Sequence, residues 1–295
     1  MDEIDLKISY ELYFNGRMPY RELADKMGLS SIAVHRRVQN LIDIGIIKGF
    51  RAGLDLQSLG GVAIAVSGWS RFKNIEDVLK SLEDDRRTTK LIRSPGGFFF
   101  VEGALKDISQ LDDYSRTVKK ICDMKDPRIL IPHMIHSNPS TGMELNATDR
   151  SIIRSLKDDC RRSFSDVAEE LNIATRTVKR RLDRLLDNGM LYLRAEMVPT
   201  ASGDIISFMF MNLKEDSGRD IIAHRIWKDN YPHVMSIIPL SNEPDLLIAN
   251  CWAGSMKATE ELKKDLLARY PIERIDLNVL YDMHFLKTWL DMEIG

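Results

Sequence analysis

Cysteine is scarce in this sequence: Cys122, Cys160 and Cys251 are the only three in 295 residues, and they lie far apart. An odd number at such spacing indicates neither a disulfide framework nor a cysteine metal site, so we expect three reduced thiols. His133 and His136 end a predicted strand, but no cysteine or carboxylate stands near them at ligand spacing. We therefore predict no metal site and no bound cofactor.

A long apolar run is also missing. No segment approaches the roughly 20 apolar residues that span a bilayer, and the acidic start Met-Asp-Glu-Ile-Asp has no signal-peptide core. We expect a cytoplasmic protein without a membrane partner. The composition, with 44% hydrophobic and 29% charged residues, is typical of a globular chain, and 295 residues suffice for two or more domains.

The chain has no overall excess of positive charge, because its formal net charge is −2. This excludes a protein coated with positive charge, but DNA binding depends on where the basic residues are concentrated. They are concentrated between Ala174 and Leu185, where Asp183 is the one acidic residue among several lysines and arginines. This stretch is therefore the first candidate for contact with a polyanion.

Two stretches of the chain share the apolar period of an amphipathic helix. In 30–41 and in 174–185, apolar residues recur at i, i+4 and i+7, which predicts one buried stripe and leaves the polar side chains on the other face. The predicted stripes are Val34, Val38 and Leu41 in the first stretch and Val178, Leu182 and Leu185 in the second.

The segment from about residue 5 to residue 45 returns at 149–189 with a single offset of 144 residues, the difference between Asp149 and Asp5. When the two copies are aligned, apolar residues, an arginine pair and the glycine after the third helix match without a gap. The matching pairs include Ile8 with Ile152, Leu12 with Leu156, Arg17 with Arg161, Ala24 with Ala168, Val34 with Val178, Arg36-Arg37 with Arg180-Arg181, and Gly45 with Gly189. Chance similarity rarely keeps loops, caps and stripes aligned together, so we infer an internal duplication.

Each copy begins with a pattern of three helices. In the first copy Gly28 makes a tight turn before the third helix, which Ser30 or Ser31 can cap. Gly45 allows the left-handed conformation that ends a helix, and residues 46–50 then predict a short strand with a turn. This arrangement predicts a winged helix-turn-helix, whose third helix enters the major groove of DNA.

The segment after each winged helix predicts the order β-α-β-β-α-β. In the first copy the predicted strands are 62–67, 88–93, 98–101 and 128–134, and the helices are 75–82 and 105–122. In the second copy the strands are 205–211, 234–238, 246–251 and 272–281, the helices are 219–227 and 256–269, and a tail helix covers 284–292. Met209 and Met211 alternate with Phe208 and Phe210, which predicts a sandwich core and a subunit interface.

The predicted fold class is therefore α+β, with two winged helix-turn-helix domains alternating with two ferredoxin-like sandwiches whose helices lie on one face. The predicted boundaries are 1–53 for the first winged helix, 54–137 for the first sandwich, 138–197 for a linker with the second winged helix, and 198–295 for the second sandwich with its C-terminal helix. Asn138-Pro139 and Thr141-Gly142 make the link at 137–145 a predicted hinge.

This succession resembles the Lrp/AsnC (feast/famine) transcription regulators, twice along one chain. The local resemblance lies in Ser31-x-x-Val34-x-x-Arg37-Val38-x-x-Leu41 and its second copy, in Asp149-x-x-Ile152, and in the closing Gly45-Ile46-Ile47. It implies a sequence-specific DNA-binding regulator with double-stranded DNA as its partner. It also implies sandwich domains that dimerise, so one chain corresponds to two protomers, and we expect identical chains to associate into a homo-dimer or larger assembly.

The same resemblance implies a small effector, of the amino acid class. In the family a Gly/Asp-containing turn before the third sandwich strand lies near the effector. Here the second copy keeps the acidic residue in Asn242-Glu243-Pro244-Asp245, whereas the first copy keeps only the glycines of Pro95-Gly96-Gly97. The implied effector residues are Gly96, Gly97 and Asp245.

The polar faces of the two third helices supply the candidate DNA-binding residues. Arg36 and Arg180 can pair with guanine O6 and N7 or with phosphate, and Lys179 and Arg184 suit phosphates. The full predicted set is Ser31, His35, Arg36, Gln39, Thr175, Arg176, Lys179, Arg180 and Arg184. Arg37 and Arg181 directly precede buried positions, and we expect each to pair with an acidic residue of a neighbouring helix.

Two other functions fit this architecture. Tetrapyrrole (siroheme-type) decarboxylases resemble it, but they carry a His-Tyr-x-Arg run between the second and third sandwich strands, and that run is absent from 91–96 and from 236–240. A winged helix can also bind protein, which the basic character of 174–185 disfavours. We therefore predict a regulator rather than an enzyme, and the divergence of the two recognition helices favours an asymmetric operator.

Overall fold

The computed structural model describes residues 1–72, 74–133, 144–215 and 217–294. Most of the predicted hinge, the end of the strand predicted at 128–134, and His136 lie outside these residues. The α-helices are α1 Glu3–Phe14, α2 Tyr20–Met27, α3 Ser31–Asp43, α4 Ile75–Asp85, α5 Leu111–Ile121, α6 Ala147–Leu156, α7 Phe164–Glu170, α8 Thr175–Asp187, α9 Arg219–Asn230, α10 Met256–Arg269 and α11 Trp289–Ile294. The strands are β1 Ile47–Leu54, β2 Val62–Ser70, β3 Thr88–Ser94, β4 Phe98–Leu105, β5 Met124–Leu130, β6 Leu191–Met197, β7 Ile205–Leu213, β8 Val234–Pro239, β9 Leu246–Ala253, β10 Ile272–Leu280 and β11 Asp282–Phe285.

These elements form two compact units, and each unit takes equivalent elements from both copies of the repeat. The sandwich unit contains Met1 and the described residues of 62–133 and 202–288. The winged-helix unit contains 2–61, 144–201 and 289–294. The division into four successive domains along the chain stays a prediction.

Two antiparallel sheets form the sandwich unit. One has the order β10-β7-β9-β8, and the other has the order β11-β3-β4-β2-β5. Without the added edge strand β11, both place the four strands of a β-α-β-β-α-β unit in the spatial order of a ferredoxin-like sheet. The predicted α+β fold class is therefore confirmed in both copies.

The strand β7 shows how side-chain alternation divides this unit into layers. Met209 and Met211 are fully buried in a core with α9 and α10. Phe208 points the other way and meets Phe100 of the second sheet with ring centroids 4.9 Å apart, and Phe210 lies 6.3 Å from Phe98. The sheets thus pack face to face, and the interface expected between subunits lies within one chain.

Two helix boundaries differ from the prediction. The helix predicted from 105 begins at Leu111, because β4 continues to Leu105, where it pairs with Val62 of β2. The tail predicted as one helix over 284–292 begins instead as β11, which pairs with β3, and only Trp289–Ile294 is helical. The unpaired backbone of an edge strand attracts another strand, and this long-range pairing outweighs the local helical pattern.

A carboxylate anchors β11 to β3. Asp282 accepts hydrogen bonds from Arg93 Nη1 and from His284 Nε2, each at 2.8 Å. Partial burial alone would raise the pKa of Asp282, but the hydrogen bonds from His284 and Arg93 outweigh it and lower the pKa. The anchor therefore stabilises the fold while the carboxylate is ionised.

We expect the stabilisation from Asp282 to be pH-dependent. Because its pKa is lowered in the folded state, the contribution is present above the ordinary aspartate pKa of about 4 and is lost as the pH falls through the lowered value. Urea unfolding of Asp282→Asn and of the parent chain should therefore differ at pH 7 and converge in acid. A difference that stays constant from pH 7 to pH 3 would contradict this account.

In the winged-helix unit the strands after the recognition helices pair with each other. The prediction of a short strand with a turn at 46–50 is wrong in its extent: β1 continues to Leu54 and forms an antiparallel ladder with β6 of the second copy. Phe50 lies opposite Ala195 and Arg51 opposite Arg194. Because positions 50 and 194 are equivalent in the repeat, a local two-fold axis passes between these two pairs, as in an isologous dimer interface.

Arg17 and Arg161, which the repeat aligns, make reciprocal contacts across this axis. Arg17 Nη1 donates to the carbonyl oxygen of Cys160 at 2.6 Å, and its guanidinium lies 4.3 Å from the ring centroid of Phe164. Arg161 Nη2 donates to the carbonyl oxygen of Met18 at 3.1 Å, and its guanidinium lies 4.7 Å from the ring centroid of Tyr20. Each copy therefore holds the turn before the second helix of the other.

Candidate nucleic-acid interface

The two recognition helices are α3 and α8, and both follow the predicted stripe. Ser30 caps α3, since its hydroxyl accepts from the backbone N–H of Ala33 at 3.2 Å, whereas Ala174 gives α8 no side-chain cap. Gly45 and Gly189 end the two helices with φ of 81° and 65°, a conformation that favours glycine. The stripe residues of both helices are buried.

The outer faces of α3 and α8 match position by position. Each residue from 31 to 41 falls in the same exposure class as its counterpart from 175 to 185. All nine candidate DNA-binding residues are exposed. The two helices therefore offer the same positions to a ligand, and they differ in the side chains that occupy them.

The arginines that precede the buried stripe positions are structural, as predicted. Arg37 Nη1 donates to Asp5 at 2.7 Å and to Asp2 at 2.8 Å. Arg181 Nη1 donates to Asp149 at 2.9 Å. Each pair joins the recognition helix to the first helix of its own copy.

Arg184 was predicted to bind phosphate, and the structure gives it a protein partner as well. Its Nη2 donates to Asp149 Oδ2 at 2.7 Å, and the Asp149 side chain is fully buried. The side chain of Arg184 remains 43% exposed. The corresponding residue of the first copy is Asn40, so this second ion pair belongs to α8 alone.

A shallow depression along α8 holds the basic side chains of its outer face. Arg176, Lys179, Arg180 and Arg184 line it, together with Asp183, Asp187 and Asn188. In the described part of the chain, no carboxylate lies within ion-pairing distance of Arg176, Lys179 or Arg180. Exposed cations without an ion-pair partner are the groups that phosphates of a DNA backbone attract.

The corresponding face of α3 is far less basic. His35 packs edge-on against Tyr20 with ring centroids 5.3 Å apart, and Gln39 Nε2 donates to Asp43 at 2.9 Å. Arg36 is exposed and has no ion pair among the described residues. Ile32, which sequence reasoning did not single out, has 83% of its surface exposed.

The implied effector residues lie in equivalent turns before β4 and β9. Gly97 has φ of 80°, and a Cβ there would lie 2.9 Å from the carbonyl oxygen of Ser70, so the turn requires glycine. Gly96 and Asp245 are exposed. The acidic side chain that is engaged at the second turn is Glu243, which accepts from Arg128 Nε at 2.6 Å. The effector assignment stays a prediction.

Comparisons with known proteins identify the family. The profile described as winged helix-turn-helix DNA-binding matches residues 1–48 and again 145–192. The transcriptional regulator Ptr1 of Methanocaldococcus jannaschii is 34% identical over 116 residues, which cover 39% of this chain and 78% of that protein. The proline dehydrogenase transcriptional activator of Rhizobium radiobacter is 30% identical over 158 residues, or 54% of this chain and 92% of that protein. The chain belongs to the Lrp/AsnC family of transcription regulators. The resemblance inferred from the sequence is thereby confirmed.

A solved structure matches this Lrp/AsnC chain over nearly its full length. The siroheme decarboxylase NirDL superposes with a TM-score of 0.60 and 15% identity, covering 98% of both chains. At that identity the likeness shows a shared fold. Among the described residues, no helix of this Lrp/AsnC protein combines the length and apolar character needed to cross a membrane.

Proposed function

We propose that this Lrp/AsnC regulator reads an asymmetric DNA operator through both recognition helices. The proposal is supported by the matching exposure of α3 and α8, combined with the cations of α8 that have no ion-pair partner among the described residues. Because α3 and α8 expose the same positions, each helix can enter a major groove in the same way, and because their side chains differ, the two half-sites can differ in sequence. The predicted set from Ser31 to Arg184 supplies the contacts.

The two helices are proposed to contribute unequally to affinity. Three exposed cations on α8 have no carboxylate partner among the described residues, whereas α3 offers Arg36 and the imidazole of His35. Neutralising each phosphate releases condensed counterions, so affinity follows the number of free cations. The half-site under α8 therefore supplies most of the salt-dependent binding free energy.

Further parts of the proposal concern the sandwich unit. An amino acid or related small effector would bind near Gly96, Gly97 and Asp245, where an exposed carboxylate and a glycine turn flank the sheets. Such an effector shifts DNA binding only if it prefers one state of the protein. Association of identical chains, and the four-domain division at 53, 137 and 197, complete the proposal.

The decisive test compares Arg180→Ala and Lys179→Ala in a salt series of DNA binding. If Arg180 reads a base, its loss should cost about 1–3 kcal/mol of binding free energy and relax base preference at one position. If Lys179 binds a phosphate, its loss should weaken binding to all sequences alike and lower the salt slope by about 1. Fluorescence anisotropy with the upstream region of the protein's own gene and a random fragment gives both quantities.

Lys264→Ala is the matched control, because Lys264 is an exposed lysine on α10 in the sandwich unit. It removes the same charge without touching a recognition helix and should leave the salt slope unchanged. Unchanged affinity in both α8 variants would remove that helix from the DNA interface. An equal loss of DNA affinity in all three variants would mean that only the net charge of the protein matters.

A tetrapyrrole-decarboxylase activity is the second candidate, favoured by the full-length likeness to NirDL. The residues at 91–96 and 236–240, where the decarboxylases carry their His-Tyr-x-Arg run, disfavour this activity. Arg93, the one ionisable residue of 91–96, is bound to Asp282, and 236–240 holds none. Titration with an iron tetrapyrrole, followed by its absorbance, tests this alternative: a stoichiometric spectral shift together with absence of DNA binding would favour the enzyme.

A further inference from the structure

The recognition helices differ most sharply at their second residue. That residue is Ile32 in α3 and Arg176 in α8, and the offset of 144 makes them equivalent. Among the described residues, Ile32 is the most exposed large hydrophobic side chain, at 83%. At the same position, the exposed isoleucine suits an apolar group of a ligand, whereas the exposed arginine suits a hydrogen-bond acceptor or an anion.

The position of Ile32 places it at the end of the helix that meets bases. It follows the cap residue Ser30 by two residues, and the N-terminal residues of a recognition helix contact base edges in the major groove. An isoleucine side chain neither donates nor accepts a hydrogen bond. The apolar group that base pairs present in the major groove is the C5-methyl of thymine.

Arg176 offers the complementary chemistry in the second copy. Its guanidinium has no ion-pair partner among the described residues and lines the basic depression with Lys179 and Arg180. A guanidinium can donate two parallel hydrogen bonds to guanine O6 and N7, a contact that no isoleucine can make. The substitution between copies therefore changes the chemical groups that this position offers to a base.

We propose that Ile32 contacts the methyl group of a thymine and that Arg176, at the equivalent position of the second copy, binds a guanine. The operator then carries unlike bases at one corresponding position of its two half-sites. This inference rests on the proposed function, because it names the bases that the two helices read.

The experiment begins with selection of binding sites from randomised duplexes by the full-length protein. In the selected operator each thymine is replaced in turn by deoxyuridine, which lacks only the C5-methyl group. At one thymine this change should weaken binding about fourfold, the effect of losing one buried methylene-sized group. The Ile32→Ala variant should bind the thymine and uracil versions of that operator equally.

A matched substitution tests the other half-site. Replacing guanine by 7-deazaguanine removes the N7 acceptor, and it should weaken binding by the wild-type protein but not by Arg176→Ala. The Ile32→Arg variant should select guanine where the wild type selects thymine, which makes the two half-sites alike at this one position. Ile32 and Arg176 are both exposed, so these variants should keep the circular dichroism spectrum and urea midpoint of the parent chain.

The outcomes separate this inference from the proposed function. If an operator is selected but no deoxyuridine replacement distinguishes the wild type from Ile32→Ala, the thymine contact is wrong while DNA reading stands. If Ile32→Arg selects the wild-type sequence, the base assignment is wrong. If the full-length protein enriches no sequence and binds no duplex at low salt, the proposed function itself fails.

Discussion

The Asp149→Ala variant should unfold at markedly lower urea concentration than the parent chain, with a loss of about 3 kcal/mol in the free energy of unfolding. The Asp149 side chain is completely buried and accepts from Arg181 at 2.9 Å and from Arg184 at 2.7 Å. It also completes the capping box of α6, since it accepts from the backbone N–H of the cap residue Asn146. Its removal leaves two arginines without their carboxylate and one helix without its capping box.

Asp5→Ala provides the matched control in the first copy. Asp5 is the equivalent residue and accepts from Arg37, but Asp2 also accepts from that guanidinium, so the charge stays paired when Asp5 is lost. We expect a smaller loss of about 1–2 kcal/mol, because Asp5→Ala removes the hydrogen bond from Arg37 and the bond from the backbone N–H of Asp2 that completes the capping box of α1. Far-UV circular dichroism during urea unfolding follows the helices of both copies. Equal losses in the two variants would show that burial and the second arginine add nothing at Asp149.

The Phe208→Ala variant should destabilise the sandwich unit by about 3–5 kcal/mol, the usual cost of truncating a buried phenylalanine. Phe208 is 5% exposed and meets Phe100 across the two sheets at 4.9 Å. The cavity would open between the two sheets, so side chains of both sheets would have to move to fill it. Tryptophan fluorescence during urea unfolding suits this measurement, because Trp69, Trp227 and Trp252 all lie in this unit.

A double-mutant cycle makes that result specific to the contact. Phe100→Ala together with Phe208→Ala should cost about 0.5–1.5 kcal/mol less than the two single losses added, since the ring pair is removed only once. Phe285→Ala, on the edge strand β11 and 38% exposed, should cost much less than either. Strict additivity would mean that the two rings fill space independently, and that the sheets are held by other contacts.

Local periodicity was enough to predict the recognition helices and most of the sheet strands, because the stripe at Val34, Val38 and Leu41 depends only on near neighbours. Two of the errors have a different cause. The ladder between β1 and β6 joins residues about 144 apart, and β11 pairs with a strand nearly 200 residues earlier. Nothing in the local pattern of either segment specifies such a partner.

The candidate interface divides in the same way. The pairing of Arg37 and Arg181 with acidic residues followed from their place beside the buried stripe, and the structure confirms it. The ion pair between Asp149 and Arg184 was not predicted, because it depends on the angle between α6 and α8. The exposure of Ile32 was visible in the sequence only by comparison with Arg176, which shares its position in the repeat.

The ladder between β1 and β6 also determines how this regulator responds to dilution. Two separate chains that form such a ladder come apart at low concentration, and their stability depends on protomer concentration. Here the two strands belong to one polypeptide, so their pairing is a folding step with the effective concentration of a tether. Each molecule contains one β1 and one β6, so a β1–β1 or β6–β6 pair cannot form within one chain. The two halves can therefore accumulate different side chains without losing their partner.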